Sequence, residues 1–202
     1  MGMNGMYARR KNIRICIVLL FVGMFVTLAQ QHHLQQDYAN EVLRFHVIAN
    51  SDEDADQALK LQVRNCVGAY VSTLLKDAKD KEETEAIVSA HLDDITAVAK
   101  KEIARQGYTY PVCAAIEQVD FPEKFYGKYH LPKGNYTSLQ VRIGQAKGAN
   151  WWCVMYPNMC FRDNTYEVVG ADEKEQMYEV FTLYQYKKII ESPHKEIRFR
   201  YL

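Results

Sequence analysis

Residues 148–161 carry the most distinctive chemistry of the chain, because they hold both tryptophans and two of the five cysteines. Trp151 and Trp152 are adjacent, so on a β-strand they would project from opposite faces, one toward a core and the other toward a second layer, a partner or a ligand. Cys153 and Cys160 are seven residues apart, and a turn between them would bring them within disulfide range. The segment predicts a Cys153–Cys160 disulfide worth ~2.5 kcal/mol in an oxidising compartment.

The other cysteines leave further pairings open. Cys16 lies in an apolar N-terminal run, so the body has four cysteines, and four allow three pairings. Closeness along the chain favours Cys153 with Cys160, whereas Cys66 on an apolar helix face fits a small buried side chain. No CxxC pair or His-x3-His pair accompanies them in the sequence, so a zinc site is not predicted.

Two polar groups invite a catalytic or metal-binding interpretation. The acidic run Asp52-x-Asp54-x-Asp56 begins like a calcium loop, but Gln57 stands where that loop needs glycine, and an acidic cluster at a helix start is favourable without any metal. His46 lies near Asp52, so a hydrolytic pair is conceivable, although a structural histidine on the solvent side of a strand explains it as well. The sequence contains no GxSxG, HExxH, Walker or dinucleotide motif. We therefore predict no catalytic residue, no metal and no cofactor.

The spacing of apolar residues in the helices and strands that position these groups predicts an α+β fold. Leu43, Phe45 and Val47 alternate with Arg44 and His46 in the first strand, as in a half-buried strand whose second face meets solvent. Leu139, Val141 and Ile143 share one face of a later strand, and apolar residues recur at helical spacing between the first and second strands. The prediction is an antiparallel or mixed sheet with two consecutive helices between the first and second strands and a C-terminal helix. The predicted strands cover residues 42–48, 108–119, 136–143 and 151–156, and the predicted helices cover 54–76, about 83–107 and about 171–191.

The N-terminus predicts export. A basic cluster ending at Arg14 precedes an uncharged apolar run over residues 15–29, the arrangement of a signal peptide or a short membrane anchor. Cleavage and retention both remain open. We divide the chain into residues 1–29 as export signal or anchor, 30–41 as a polar linker and 42–202 as one domain.

Charge argues against one class of partner. The chain has 25 basic and 25 acidic residues, and the first 29 residues hold four basic and no acidic ones, so the remainder carries a net charge of −4. A mildly acidic exported domain is a poor nucleic-acid binder, and no nucleic-acid partner is predicted. The many aromatics of the second half suggest either core packing, a partner-binding patch or a platform for sugars.

Longer strings carry a family resemblance. They resemble, in order and over most of residues 42–161, the stage II sporulation protein R family of endospore-forming bacteria. The strings are Leu43-Arg44-Phe45-His46-Val47-Ile48-Ala49-Asn50-Ser51-Asp52, Gln57-Ala58-Leu59-Lys60-Leu61-Gln62-Val63-Arg64, Phe121-Pro122, Tyr126-Gly127, Leu131-Pro132-Lys133-Gly134-Asn135-Tyr136, Val141-Arg142-Ile143-Gly144 and Gly148-Ala149-Asn150-Trp151-Trp152-Cys153-Val154.

The resemblance implies a signal and not a catalyst. Members of that family are made in the forespore, are exported toward the space between the two forespore membranes, and trigger a membrane-bound aspartic protease of the mother cell. That protease then removes the pro-sequence from the early mother-cell sigma factor. The resemblance implies no small-molecule substrate, and membrane contact would come through the N-terminal segment.

A signalling role would depend on a protein surface. We expect partner contacts at the turn from His46 to Asp52, in the loop from Tyr126 to Tyr136, and at Trp151 or Trp152, since aromatic anchors dominate interface energies. The predicted contact residues are His46, Asn50, Asp52, Tyr126, Tyr136, Trp151 and Trp152. One alternative is an exported cell-wall hydrolase that uses His46 with Asp52, or a free cysteine. The other is a glycan-binding module with exposed coplanar aromatics.

Overall fold

The computed structural model describes residues 3–126 and 129–157. The chain divides into two compact units, residues 1–37 and residues 38–202. The predicted C-terminal helix at 171–191 and the tail after it lie outside the described residues.

The N-terminal unit contains most of helix α1, Met3–Glu41. Within it, Asn12–Gln30 is long and apolar enough to cross a membrane, and its apolar side chains are exposed. The predicted signal or anchor at 15–29 lies inside this stretch, whose position near the N-terminus is also that of a signal sequence. Residues 30–41, predicted as a polar linker, remain helical as far as Glu41.

Three helices follow strand β1, Leu43–Ile48: α2 at Asp54–Leu74, α3 at Lys81–Ala90 and α4 at Leu92–Arg105. Asp80 caps the N-terminus of α3, and its side chain accepts a 2.7 Å hydrogen bond from the amide of Glu83. The sequence predicts one helix where α3 and α4 stand. The helix is divided at His91. The backbone N–H of His91 donates to the Val88 carbonyl, and its ring nitrogen Nδ1 lies 2.8 Å from the Ile87 carbonyl oxygen.

The remaining described elements are strands. They are β2 at Val112–Phe121, β3 at Lys124–Tyr126, β4 at Tyr129–Leu131, β5 at Gly134–Ile143 and β6 at Asn150–Tyr156. The main sheet has the order β2-β5-β1-β6, and β3 and β4 form a separate antiparallel hairpin that the sequence does not predict. Strand β1 pairs parallel with β5 and antiparallel with β6, while β2 pairs antiparallel with β5. The sheet is therefore mixed, and the α+β prediction is confirmed.

The two faces of the sheet have different chemistry. Alternate residues of a strand point to opposite faces, and Phe45, Val47, Leu139 and Val141 belong to a core shared with the three helices. From the helices this core receives the buried side chains Leu59, Val63, Val67, Val71, Val88, Ile95, Ala99 and Ile103. The other face, which we call the polar face, carries Arg44 and His46 from β1 with their neighbours on β5, β2 and β6.

Candidate partner-binding surface

Five side chains of the polar face form one cluster, which we call the cation–aromatic cluster: Arg44, His46, Phe121, Tyr136 and Trp152. Arg44, His46, Phe121 and Tyr136 are buried, at 0, 3, 2 and 0% exposure, whereas Trp152 is half-buried. The cluster contains three of the predicted contact residues, His46, Tyr136 and Trp152. Its members come from four strands, so it exists only when the sheet is assembled.

Strand register places the two central rings. His46 lies opposite Trp152 in the β1–β6 ladder, so their side chains share a face. Their rings stack at 3.8 Å between centroids and 13° between planes. Phe121, at the end of β2, meets Trp152 edge-on at 4.5 Å and Tyr136 edge-on at 5.7 Å. Each of these edge-on contacts is in the favourable geometry for aromatic pairs.

Arg44 places a cation in the middle of these rings. Its guanidinium carbon lies 4.2 Å from the ring centre of Phe121 and 5.0 Å from that of Tyr136, within cation–π range. Its Nε donates a 3.0 Å hydrogen bond to the Cys153 carbonyl on β6. A buried charge is costly unless it is compensated, and these contacts supply part of that compensation. Arg44 therefore ties β6 to the aromatic residues of β2 and β5.

His46 is neutral in this environment. Burial lowers its pKa from 6.5 to about 4, and the positive charges of Arg44 and Arg142 act in the same direction. The Asn150 side chain opposes the shift by interacting with the ring. Among the described residues, no carboxylate is one of the groups that shift this pKa, so this part of the chain gives the ring no acidic partner of the kind that a hydrolytic histidine needs. His46 serves as an aromatic surface for Trp152.

The His46 pKa predicts a pH dependence of stability. Between pH 6.5 and about 4 the unfolded chain takes up a proton that the folded protein excludes, so the free energy of unfolding should fall as the pH falls through this window. We expect ~2 kcal/mol from this group after allowing for solvent screening. Urea unfolding of wild type and His46→Phe at pH 7, 5.5 and 4 measures it. The phenylalanine variant should lose less stability over this range, and equal losses would contradict the account.

An ion pair extends the polar face beside the cluster. Arg142 on β5 donates two hydrogen bonds to Glu117 on β2, both 2.8 Å long. The pair lowers the pKa of Glu117 and raises that of Arg142. Arg142 also donates to Gln140 at 3.2 Å. Glu117 is therefore held in its charged form, and Arg142 balances its charge within the sheet.

The polar side chains of the turn after β1 form hydrogen bonds with other groups of the protein. Asn50 donates to Asp56 at 2.7 Å and accepts from the backbone amide of Gln145 at 2.9 Å. Asp52 accepts from the backbone amide of Ala149 at 2.5 Å. Hydrogen bonds from Ser51 and Asn50 also lower the pKa of Asp56. Asn50 and Asp52, two of the predicted contact residues, thus join the turn of residues 49–56 to that of residues 144–149, and their role in partner contact stays a prediction.

Gly148 is required where these turns meet. A Cβ added there would lie 2.1 Å from the backbone oxygen of Ser51. Because this clash is with backbone and not with a flexible side chain, a change of rotamer cannot relieve it. We expect Gly148→Ala to lower the free energy of unfolding by ~2 kcal/mol. Chemical denaturation of the wild type and of Gly148→Ala, each as the unit that begins at Tyr38, checks this. A cost below ~0.5 kcal/mol would contradict the close approach.

The remaining predicted residues lie in different surroundings. Trp151 projects from the helix-covered face, edge-on to Phe45 at 5.5 Å, with the Arg64 guanidinium 5.0 Å from its ring centre. It is half-buried, so contact with a partner stays a prediction for its exposed part. The side chain of Tyr126 lies outside the described residues, although its backbone ends β3.

The disulfide prediction is not tested by the described residues. Cys153 is buried in β6, and Cys160 lies outside them. Cys66 and Cys113 in the body of the protein are free. Burial raises the pKa of the Cys66 thiol, which lowers its reactivity.

Sequence reasoning missed Arg44 and Phe121. The sequence did contain a signal for Arg44, because Arg44 lies two residues before His46 and so on the same face of β1, opposite the apolar residues. That face was predicted to be solvent-exposed, whereas Arg44 and His46 are buried. No group of three or more histidine, cysteine or acidic side chains that could hold a metal ion occurs among the described residues.

Comparison with known proteins identifies the family. The family model for stage II sporulation protein R matches residues 39–166, which include every described strand of the sheet. Stage II sporulation protein R of Bacillus subtilis (strain 168) is 32% identical over 190 residues, covering 90% of this chain and 84% of the relative. No solved structure matches the chain. The chain therefore belongs to the stage II sporulation protein R family, and its role is in sporulation.

Proposed function

We propose that this chain is an exported sporulation signal that activates a membrane-embedded aspartic protease, which then removes the pro-sequence from the early mother-cell sigma factor. The protein would act by contact and perform no chemistry of its own. It would work outside the cytoplasm, in the space between the two forespore membranes, brought there by the apolar stretch Asn12–Gln30.

The cation–aromatic cluster is the observation that carries this proposal. Trp152 is half-buried, and its ring stacks on the buried His46 and meets the buried Phe121 edge-on. A partly exposed aromatic held in place by buried neighbours can bury area against a partner with little loss of side-chain entropy. The same cluster is poorly suited to catalysis, because His46 is neutral and no carboxylate in the described part of the chain acts on its pKa.

Activation follows from differential affinity. A signal shifts a protease toward its active arrangement only if it binds that arrangement more tightly than the inactive one. A rigid contact surface suits this task, since it selects one arrangement of the partner. The protein would thus need neither a cofactor nor a small-molecule substrate.

A glycan-binding role receives less support. Stacking platforms for sugars need exposed aromatics in one plane, but Trp151 and Trp152 project from opposite faces of β6. The Bacillus subtilis relative is named for a stage of sporulation and not for an enzymatic activity.

Gene replacement in the organism that makes the protein tests the proposal. Deletion should stop sporulation with the sigma factor unprocessed, and the full chain should restore processing. A version starting at Tyr38, where the second compact unit begins, should fail when it is kept in the cytoplasm and succeed when it is fused to an unrelated signal peptide. Restoration by the cytoplasmic version would contradict an extracytoplasmic site of action.

A further inference from the structure

Among the described strands, β2 is an edge of the sheet, and some of its backbone groups have no hydrogen-bond partner there. It pairs with β5 on one side over ten residues in unbroken register, from Val112 opposite Ile143 to Phe121 opposite Gly134. In the order β2-β5-β1-β6 it has no neighbour on its other side among the described strands. Natural edge strands are commonly blocked by proline, by charged side chains, above all lysine, or by a bulge. Strand β2 contains no proline, lysine or bulge, and its charged residues are Glu117 and Asp120.

One side-chain contact shows which backbone groups point outward. The amide of Ala114 donates a 3.2 Å hydrogen bond to the hydroxyl of Thr96 on α4, so it turns away from β5. In an antiparallel ladder the outward direction recurs at every second residue. The amides and carbonyls of Ile116, Gln118 and Asp120 therefore also point outward, and within the described part of the chain none of them makes a backbone hydrogen bond on that side.

Charge selects the kind of occupant. Glu117 and Asp120 are the charged residues of β2, and the strand has no basic residue. Arg142 balances the charge of Glu117, whereas the partner of the exposed Asp120 among the described residues is neutral, the side-chain amide of Asn135 at 2.8 Å. A second copy paired through the same edge would align two strands that carry only acidic charges. A basic strand from a different protein fits better.

We propose that the outer edge of β2, at Ile116, Gln118 and Asp120, binds an extended basic segment of the protein that this chain activates. The segment would add a fifth strand to the sheet, with main-chain hydrogen bonds for affinity and a lysine or arginine near Asp120 for selectivity. Phe121 belongs to both β2 and the cation–aromatic cluster. One partner could therefore engage the edge and the cluster together. This inference rests on the proposed function.

A proline substitution tests the edge. Gln118→Pro removes an outward N–H that β5 does not use, and edge strands tolerate proline at such positions. Gln118→Val is the matched variant, because it also loses the side-chain bond to Thr137 but keeps the backbone N–H. With the full chain, the protease and the pro-sigma factor expressed together, the proline should slow processing about tenfold or more and the valine no more than about threefold.

Further measurements separate the possible results. Thermal melting must give cooperative transitions for both Gln118 variants, and Asp120→Lys provides a second test that leaves the backbone unchanged and should also slow processing. If the wild-type chain triggers processing and the Gln118→Pro and Asp120→Lys variants trigger it at the same rate, the edge proposal is overturned and the proposed function is not. A wild-type chain that triggers no processing would overturn the proposed function and with it this partner. A wild-type dimer that Gln118→Pro abolishes in sedimentation would assign the edge to a second copy, which would also overturn the proposal.

Discussion

Replacing Trp152 by alanine is expected to reduce protease activation by ~30-fold or more, because central aromatic anchors contribute ~2 kcal/mol or more to an interface. The substitution removes the one ring of the cation–aromatic cluster that is partly exposed. It also exposes His46, whose ring centroid lies 3.8 Å from that of Trp152. The measurement is the rate of pro-sequence removal at matched amounts of folded, exported protein.

Two controls make the Trp152 result specific. Trp152→Phe keeps an aromatic plane on His46 and should lose much less activation than the alanine variant. Leu61→Ala removes another exposed apolar side chain, 39% exposed on α2, and should leave processing at the wild-type rate. If Trp152→Ala folds and still activates fully, the cluster is not the contact surface.

Replacing Arg44 by alanine is expected to lower the free energy of unfolding by ~3–5 kcal/mol, through a large cavity and a lost charge-assisted hydrogen bond. The substitution removes the hydrogen bond to the Cys153 carbonyl and the contacts with Phe121 and Tyr136. The measurement is equilibrium denaturation of the exported domain, followed by the fluorescence of the two tryptophans.

Arg44→Lys separates charge from shape in this result. Lysine keeps the positive charge but lacks the planar guanidinium that stacks on rings and donates through Nε. It should therefore recover only part of the lost stability. A cost below ~1 kcal/mol for Arg44→Ala would mean that Arg44 does not hold the cluster together.

Periodicity in the sequence was sufficient to predict the faces of the strands. Phe45 and Val47 were predicted on one face of β1 and lie in the core, and Leu139 and Val141 follow the same rule on β5. Alternation says which side chains share a face, but it does not say what lies over that face. For this reason Arg44 and His46 were expected in solvent and are buried.

Long-range pairing was beyond sequence reasoning. The parallel pairing of β1 with β5 and the antiparallel pairing of β1 with β6 bring His46 beside Trp152, over a hundred residues along the chain. No local pattern specifies such a register, which depends on how the sheet packs on its helices. The division at His91 was also missed, because neither glycine nor proline marks it.

The central claim is that this chain activates a protease from outside the cytoplasm, and reconstitution tests it most directly. The pro-sigma factor and the membrane protease of the same organism are co-expressed in a non-sporulating host, with this chain supplied either complete or without its N-terminal 37 residues. The account predicts pro-sequence removal with the exportable form alone. Equal processing with and without the chain, or none with all three proteins present, would contradict it.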